Sequence, residues 1–206
     1  GEINTIAALR ASTRDLELSL RLRDSVLMRG GSDSGDLDRM IQLFHSNGVP
    51  LSESLRRFFR QVDFGTMSKN DKTYSKAIRR ALGPLSAAEG PAAIIGMDDK
   101  EIVAILDGLG LRPLRAIENT DNILLLTSEI GAPFIDPKKI RKTFQLDAGH
   151  MLIVKNGKIY YPKEANELVM NGSALNYQEL GSGQGVRIKR NQDSKINVLS
   201  QGDLIK

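Results

Sequence analysis

The 206-residue sequence has no cysteine and no tryptophan, and its only histidines are His45 and His150. The absence of cysteine excludes disulfide bonds, thiolate metal ligands and a cysteine nucleophile from this chain. Because the two histidines are far apart in sequence, we expect no histidine-based metal site.

Long apolar runs and a strong charge excess are also missing. No segment approaches the roughly 20 consecutive apolar residues that a membrane-spanning helix needs. The net charge is only +4, from 29 basic and 25 acidic residues, and the small basic clusters have no interleaved aromatic residues. We therefore expect neither a membrane nor a nucleic acid as a partner, and we expect a cytoplasmic location.

The first part of the chain shows helical periodicity. From Leu37, apolar residues recur at i, i+3, i+4 and i+7, which predicts an amphipathic helix that begins near Ser34 or Asp36 and ends at Asn47. The same kind of spacing predicts further helices within residues 5–28, from about residue 52, and over residues 72–82.

After Gly90 the pattern changes to short runs of β-branched and other apolar residues between polar turns. Asn156 and Gly157 form the strongest short hairpin signal. The fold class is therefore α+β, an antiparallel meander covered by helices on one side and another layer on the other. Residues 170–206 are polar, so we expect one domain over residues 1–169 followed by an appendage with strands at 186–188 and 196–198. The candidate strands before it are residues 92–97, 102–106, 114–117, 123–127, 151–154 and 158–161.

Five short motifs occur in a set order along the chain. Each motif alone is weak, but their order and spacing together resemble the class II, Ntn-type glutamine amidotransferase domain of glutamate synthases. The resemblance continues through LDAGHM at residues 146–151 and GKI at residues 157–159, so it covers about residues 1–163. The five motifs are GEINT at residues 1–5, GSDS at 31–34, GPAA at 90–93, GLRP at 110–113 and SEIG at 128–131.

The resemblance implies a four-layer αββα sandwich of the Ntn-hydrolase type, here in truncated form. In that family an N-terminal cysteine attacks the side-chain amide of glutamine and releases ammonia. Gly1 matches the glycine whose backbone N–H forms part of the oxyanion hole, whereas the partner asparagine and the cysteine would precede it. Because the sequence begins with Gly1 and not with methionine, we expect this N-terminal half to be encoded upstream. This chain alone is then not competent for cysteine-dependent hydrolysis.

Asp33 and Gly31 are the substrate-binding residues that the resemblance implies. Asp33 matches the carboxylate that binds the α-ammonium group of glutamine. From the residues alone, a helix N-cap is the favoured interpretation of Asp33, since an aspartate ahead of an apolar-periodic run satisfies unpaired backbone N–H groups. With the resemblance we expect the substrate role for Asp33, and Ser34 or Asp36 as the cap.

Four other polar residues have ordinary structural interpretations. We expect Arg112 in a turn that enters a strand, where its side chain ties down a carbonyl or a carboxylate, and Glu129 at the polar end of a strand. His45 lies near a helix C-terminus, where a protonated imidazole complements the helix dipole. His150 is expected at a solvated strand start.

The resemblance also implies partners. No cofactor is expected in this chain, whereas FMN and an iron–sulfur cluster are expected on a synthase subunit or domain. Glutamine or glutamate is the expected ligand, and the missing N-terminal half is an expected partner. Sheet edges exposed without that half could pair with a second copy and give a homodimer. The alternative is a non-catalytic regulatory or scaffold module derived from the same domain.

Overall fold

A computed structural model describes residues 3, 6–19, 24–28, 30–46, 48–60, 68–69, 72–73, 76, 88–129 and 135–172. The helices are α1 (Ala7–Ser19), α2 (Asp33–Ser46), α3 (Leu51–Phe58) and α4 (Pro162–Gly172). The strands are β1 (Ala93–Met97), β2 (Glu101–Leu106), β3 (Arg115–Asn119), β4 (Leu124–Thr127), β5 (Ile140–Gln145), β6 (Met151–Lys155) and β7 (Lys158–Tyr160). The α+β class is therefore confirmed.

The strands form two antiparallel sheets. The first has the order β1-β2-β6-β7 and the second has the order β4-β3-β5. Three hairpins join strands that are neighbours along the chain, as predicted, whereas the β2–β6 and β3–β5 pairs join strands that are not. These longer-range pairs divide the strands between two sheets. Strand β5 was not predicted, because most of its side chains are polar and exposed.

Strand β2 lies in the middle of the molecule and is buried on both faces. Val103 and Ile105 belong to the core beneath the helices, whereas Ala104 and Leu106 belong to the core between the two sheets. This division follows from the strand geometry, in which successive side chains point to opposite faces. The described layers are therefore helices, first sheet and second sheet, and the predicted cover on both sides of a sheet is confirmed for the first sheet.

Helix α3 is buried along its whole length, including its charged residues. It packs against the first sheet at Gly96, where a Cβ atom would lie 3.3 Å from side-chain atoms of Leu51 and Leu55. The Arg56 guanidinium donates to the Gly149 carbonyl at 2.6 Å and to Asn166 Oδ1 at 2.9 Å. These two hydrogen bonds tie α3 to α4 and to the loop before β6.

The β6–β7 hairpin has the predicted turn. Asn156 and Gly157 both have positive φ angles, 51° and 72°, which is the geometry of a type I′ turn and explains the Asn-Gly pair. Helix α4 continues past residue 169 to Gly172, so the domain boundary at residue 169 stays a prediction. The strands expected at 186–188 and 196–198, and most of the helix expected over 72–82, lie outside the described residues. Within the described part, no helix is long and apolar enough to cross a membrane.

Candidate functional site

The N-terminus of α2 is capped by Ser32. Its Oγ accepts the backbone N–H of Gly35 at 3.2 Å, and its carbonyl accepts the backbone N–H of Asp36 at 2.9 Å. The expectation that Ser34 or Asp36 caps the helix is therefore wrong. The reason is that α2 already begins at Asp33, one turn before the apolar periodicity, so the capping position falls on the preceding residue.

Arg10 of α1 reaches across to this helix start and binds three acceptors. Its Nη1 lies 2.9 Å from Asp33 Oδ1, and its Nε donates to Asp36 Oδ2 at 2.7 Å. Its Nη2 donates to the Gly31 carbonyl at 3.0 Å. The hydrogen bond to Asp36, with the negative charges of both carboxylates, raises the pKa of Arg10 above its ordinary value even though burial opposes the shift. We call these residues, Arg10, Gly31, Asp33 and Asp36, the α2 clamp.

The α2 clamp contains one buried and one accessible carboxylate. The Asp36 side chain is 1% exposed, and its Oδ1 accepts the backbone N–H of Met28 at 3.3 Å. A Cβ atom on Gly31 would lie only 2.8 Å from that Oδ1, so glycine is required for this close approach. The Asp33 side chain is 34% exposed. The clamp therefore holds the Asp33 carboxylate in a fixed position through Arg10 and leaves part of it accessible to solvent.

A cleft of about 320 Å³ lies beside the first half of α2. Its size is at the lower end of the range for small-molecule sites. Asp33 itself does not line the cleft, but the next residue, Ser34, does. The lining residues come from the chain start, α2 and the region of β1, namely Ile3, Ser34, Leu37, Asp38, Ile41, Ala92, Ala93, Ile94 and Ile95. Asp33, whose carboxylate is accessible, therefore directly precedes a residue that lines a cleft with both apolar and polar groups.

Arg112 lies in a turn that is organised by Asp107. The buried Asp107 carboxylate accepts the backbone N–H groups of Leu109 at 3.0 Å, Leu111 at 3.0 Å and Arg112 at 3.4 Å. Gly110 has a φ of 68°, which favours glycine. The predicted turn is therefore present. The Arg112 side chain was expected to contact a carbonyl or a carboxylate, whereas the observed contact with the Asp107 carboxylate is made by the backbone N–H of Arg112.

Glu129 is exposed and follows the end of β4. Its backbone N–H donates to Thr127 Oγ1 at 3.2 Å, and its carbonyl accepts from the same hydroxyl at 2.9 Å. Thr127 pairs with Arg115 at the start of β3, so Glu129 and the Arg112 turn lie at one end of the second sheet. Their contacts are within that sheet and its turns, whereas Asp33 and Gly31 are brought together at the α2 clamp. Gly1 lies outside the described residues.

A second buried carboxylate, Glu118, lies at the other end of β3. It accepts hydrogen bonds from the Tyr161 hydroxyl and from Arg141 Nη2, the latter at 2.9 Å. Burial by itself raises the pKa of Glu118, but these two hydrogen bonds and the positive charge of Lys142 outweigh it and hold the pKa below its ordinary value. The Lys142 ammonium lies over the Tyr161 ring, 3.5 Å from its centroid. We call Glu118, Arg141, Lys142 and Tyr161 the Glu118 cluster.

Sequence reasoning missed both Arg10 and Glu118. Arg10 is one of several charged residues on α1, and nothing in its spacing marks it as the partner of residues on α2. Glu118 directly follows the predicted strand over residues 114–117, and its partners come from β5 and from the residue before α4. Both arrangements depend on tertiary contacts, so the sequence alone carried no signal for them.

The chain was compared with known proteins. The profile of the family described as "Glutamine amidotransferases class-II" matches residues 1–179. The chain is 34% identical over 146 residues to "Glutamate synthase [NADH]" of Schizosaccharomyces pombe, which covers 68% of this chain and 7% of that protein. It is 30% identical over 190 residues to "Ferredoxin-dependent glutamate synthase 2, chloroplastic" of Arabidopsis thaliana, which covers 82% of this chain and 11% of that protein.

A bacterial relative gives a similar result. The large chain of "Glutamate synthase [NADPH]" of Bacillus subtilis is 28% identical over 143 residues, covering 68% of this chain and 9% of that protein. The chain therefore spans about a tenth of the length of the curated relatives that it matches, and those relatives are larger proteins with further regions of their own.

Proposed function

Because this chain belongs to the class-II glutamine amidotransferases, we propose that it forms part of the glutaminase domain of a glutamate-synthase-type protein. In this proposal it binds glutamine and helps to supply ammonia to a synthase partner. The support is that the relatives are glutamate synthases, of which this chain covers only a small part. In this proposal FMN and an iron–sulfur cluster belong to the partner; for the cluster, the support is that this chain has no cysteine to ligate it.

The observation that carries the proposal is the accessible carboxylate of Asp33 at the α2 clamp. Arg10 fixes Asp33 Oδ1 at 2.9 Å, while about a third of the side chain stays exposed. The α-ammonium of an amino acid forms charge-assisted hydrogen bonds with such a carboxylate. A fixed carboxylate loses little side-chain entropy on binding, so the clamp favours recognition of that ammonium.

The chemical step requires groups beyond the α2 clamp. Amide hydrolysis of this type needs a thiolate nucleophile and oxyanion donors. The chain contains no cysteine, so it is not competent by itself for the cysteine-dependent reaction. We assign to Gly1 the backbone N–H of the oxyanion hole, and to Asp33 and Gly31 the binding of substrate. In this proposal the nucleophile comes from a segment outside this chain.

The test is a calorimetric titration of the chain with glutamine and with glutaramate, which is glutamine without its α-amino group. If Asp33 binds the α-ammonium, Asp33→Asn weakens glutamine binding by about tenfold or more, as for the loss of a charged hydrogen bond. Binding of glutaramate is unaffected by the same substitution. Asp147→Asn is the matched control, because Asp147 is 82% exposed and lies outside the clamp.

A second candidate is the non-catalytic regulatory or scaffold module. The ion pair between Arg10 and Asp33 favours it, because a cation of the protein already occupies one carboxylate oxygen. If neither glutamine nor glutamate, titrated in the same way, gives heat with the unmodified chain, the scaffold role is the one that remains. Equal weakening of glutamine and glutaramate by Asp33→Asn would contradict the assignment of Asp33 to the ammonium and indicate a general loss of the site.

A further inference from the structure

The C-terminal end of α2 and the turn between β1 and β2 bring together three groups that bind metal ions. His45 lies in the last turn of α2, and Asp98 and Asp99 lie in the turn. One imidazole nitrogen and one oxygen from each carboxylate all lie within 4.8 Å of one another. His45 is far in sequence from the adjacent Asp98 and Asp99, and none of the three belongs to the α2 clamp.

His45 has a buried nitrogen without a hydrogen-bond partner. Its Nδ1 is inaccessible to solvent and makes no hydrogen bond within the described structure, although 41% of the side chain is exposed. The nearest carboxylate oxygen is Asp98 Oδ2, at 3.8 Å from Nδ1, which is too long for a hydrogen bond. Buried polar nitrogens are normally satisfied, so this one indicates that a further ligand belongs between Nδ1 and the carboxylate.

The Asp98 carboxylate is held in a fixed orientation. Its Oδ1 accepts the backbone N–H groups of Lys100 at 2.8 Å and Glu101 at 2.7 Å, which is the usual arrangement of an aspartate that closes a tight turn. The second oxygen, Oδ2, faces His45. One oxygen therefore stabilises the turn, and the other is available as a ligand.

The spacing fits a small divalent cation. Zinc binds imidazole nitrogen and carboxylate oxygen at about 2.0–2.2 Å, so two of its tetrahedral ligand atoms lie about 3.4 Å apart. The 3.8 Å between Nδ1 and Oδ2 differs from that value by a few tenths of an ångström. The other two pairs of ligand atoms lie within 4.8 Å, and the exposed side chains of His45 and Asp99 can rotate to close that gap without repacking the core.

We propose that His45, Asp98 and Asp99 form a binding site for a divalent transition-metal ion of the zinc type, which clips the end of α2 to the β1–β2 turn. The imidazole ligand favours such an ion over Mg²⁺ and Ca²⁺, which prefer sites made only of oxygen atoms. Three protein ligands leave a position for water. From the sequence we expected no histidine-based metal site, because only the fold brings together these ligands from two separate elements. The proposed metal site does not depend on the proposed glutamine site.

The test uses the tag-free chain, stripped of metal with a chelator and then titrated with Zn²⁺ in a calorimeter. The expected result is one bound Zn²⁺ per chain and a rise in melting temperature with added Zn²⁺. His45→Ala is expected to lower the affinity at least tenfold. Asp98→Asn keeps an oxygen that can accept the turn hydrogen bonds, so it tests the metal ligand with the turn preserved.

His150→Ala is the matched control. His150 also has an aspartate nearby, with its Nδ1 3.6 Å from Asp147 Oδ2. Among the described residues, however, this pair is not part of a group of three possible metal ligands. Zinc binding that survives His150→Ala and is lost with His45→Ala supports the site. Equal affinity in the His45→Ala chain, or no Zn²⁺ binding by the unmodified chain, would overturn it, as would loss of binding only with His150→Ala.

Discussion

The α2 clamp and the Glu118 cluster both contain a buried carboxylate bound by an arginine. Asp36 is 1% exposed and is bound by Arg10 and the Met28 N–H, whereas Glu118 is 5% exposed and is bound by Arg141 and the Tyr161 hydroxyl. In the clamp, the same arginine also holds Asp33, which stays accessible. Similar buried ion pairs can therefore have different roles. The clamp holds a neighbouring carboxylate accessible to solvent, whereas the Glu118 cluster connects β3 with β5 and the residue before α4.

Arg10 and Arg141 differ in their exposure to solvent and in the number of groups that they bind. Arg10 is 32% exposed and serves three acceptors, whereas the Arg141 side chain is 53% exposed, and the Glu118 cluster also has Tyr161 and Lys142. In the clamp, Arg10 makes the short ion pairs with both carboxylates, and Asp36 has one further, longer contact of 3.7 Å with Arg39 Nη1. The cluster distributes the same task over three groups, so it should tolerate the loss of any one of them better.

The largest expected effect is that of removing the clamp cation. Arg10→Met leaves the buried Asp36 with only the longer 3.7 Å contact to Arg39, which lowers the free energy of unfolding by about 3 kcal/mol. Arg141→Met should cost less than about 1 kcal/mol, because that arginine is mostly in solvent and Tyr161 remains. Urea unfolding of the two variants gives both values. Equal losses would show that the two ion pairs are equivalent and would remove the contrast.

The next effect concerns the close packing of the clamp. In Gly31→Ala the new Cβ atom would lie 2.8 Å from Asp36 Oδ1, so the clamp must shift, at a cost of about 2 kcal/mol. Gly172→Ala, at a position with no atom within 4 Å of the new Cβ, serves as the control and should change stability by less than about 0.5 kcal/mol. Thermal unfolding followed by circular dichroism measures both. No loss in Gly31→Ala would mean that Asp36 is loosely held.

The hydroxyl of Tyr161 is expected to have a smaller effect. Tyr161→Phe removes one donor to Glu118 and keeps the ring beside Phe144, at 5.5 Å between ring centroids. The expected cost is about 1 kcal/mol in the free energy of unfolding, typical of one hydrogen bond. Tyr160→Phe is the matched control, with little expected change. A larger loss than for Arg10→Met would reverse the ranking of the two regions.

The smallest effect is a change in pH dependence. The lowered pKa of Glu118 means that its contribution to stability is present above the ordinary carboxyl pKa of about 4.3 and is lost as pH falls through the lower folded value. Melting temperatures measured from pH 6 down to pH 2.5 should therefore fall more steeply for the unmodified chain than for Glu118→Gln. Parallel curves for the two chains would contradict the assigned direction of the pKa shift.

Local signals in the sequence predicted much of the fold. The Asn156-Gly157 turn and the starts of most strands depend on neighbouring residues, so their patterns were readable. Strand β5 was not, because its exposed polar residues lack alternation and its strand state comes from pairing with β3. The division into two sheets likewise depends on long-range pairs.

The site was predicted only in part. The motif around Asp33 predicted a candidate carboxylate, because the order of short motifs along the chain can be read directly from the sequence. The position of Arg10, the cap by Ser32 and the meeting of His45 with Asp98 arise from helices and strands that fold against one another. Side chains brought together in that way leave no spacing pattern in the sequence.

Strand β2 links the cooperativity of the molecule to its layered structure. It is hydrogen-bonded to a strand on each side, and its alternate side chains enter two different cores. Neither core can open while the other keeps β2 in place, so the backbone amides of β2 should become accessible to deuterium only when the described fold unfolds as one unit. By contrast, the amides at the outer edges of β1 and β4 can exchange through local fraying, so slow exchange marks the strand on which both cores depend.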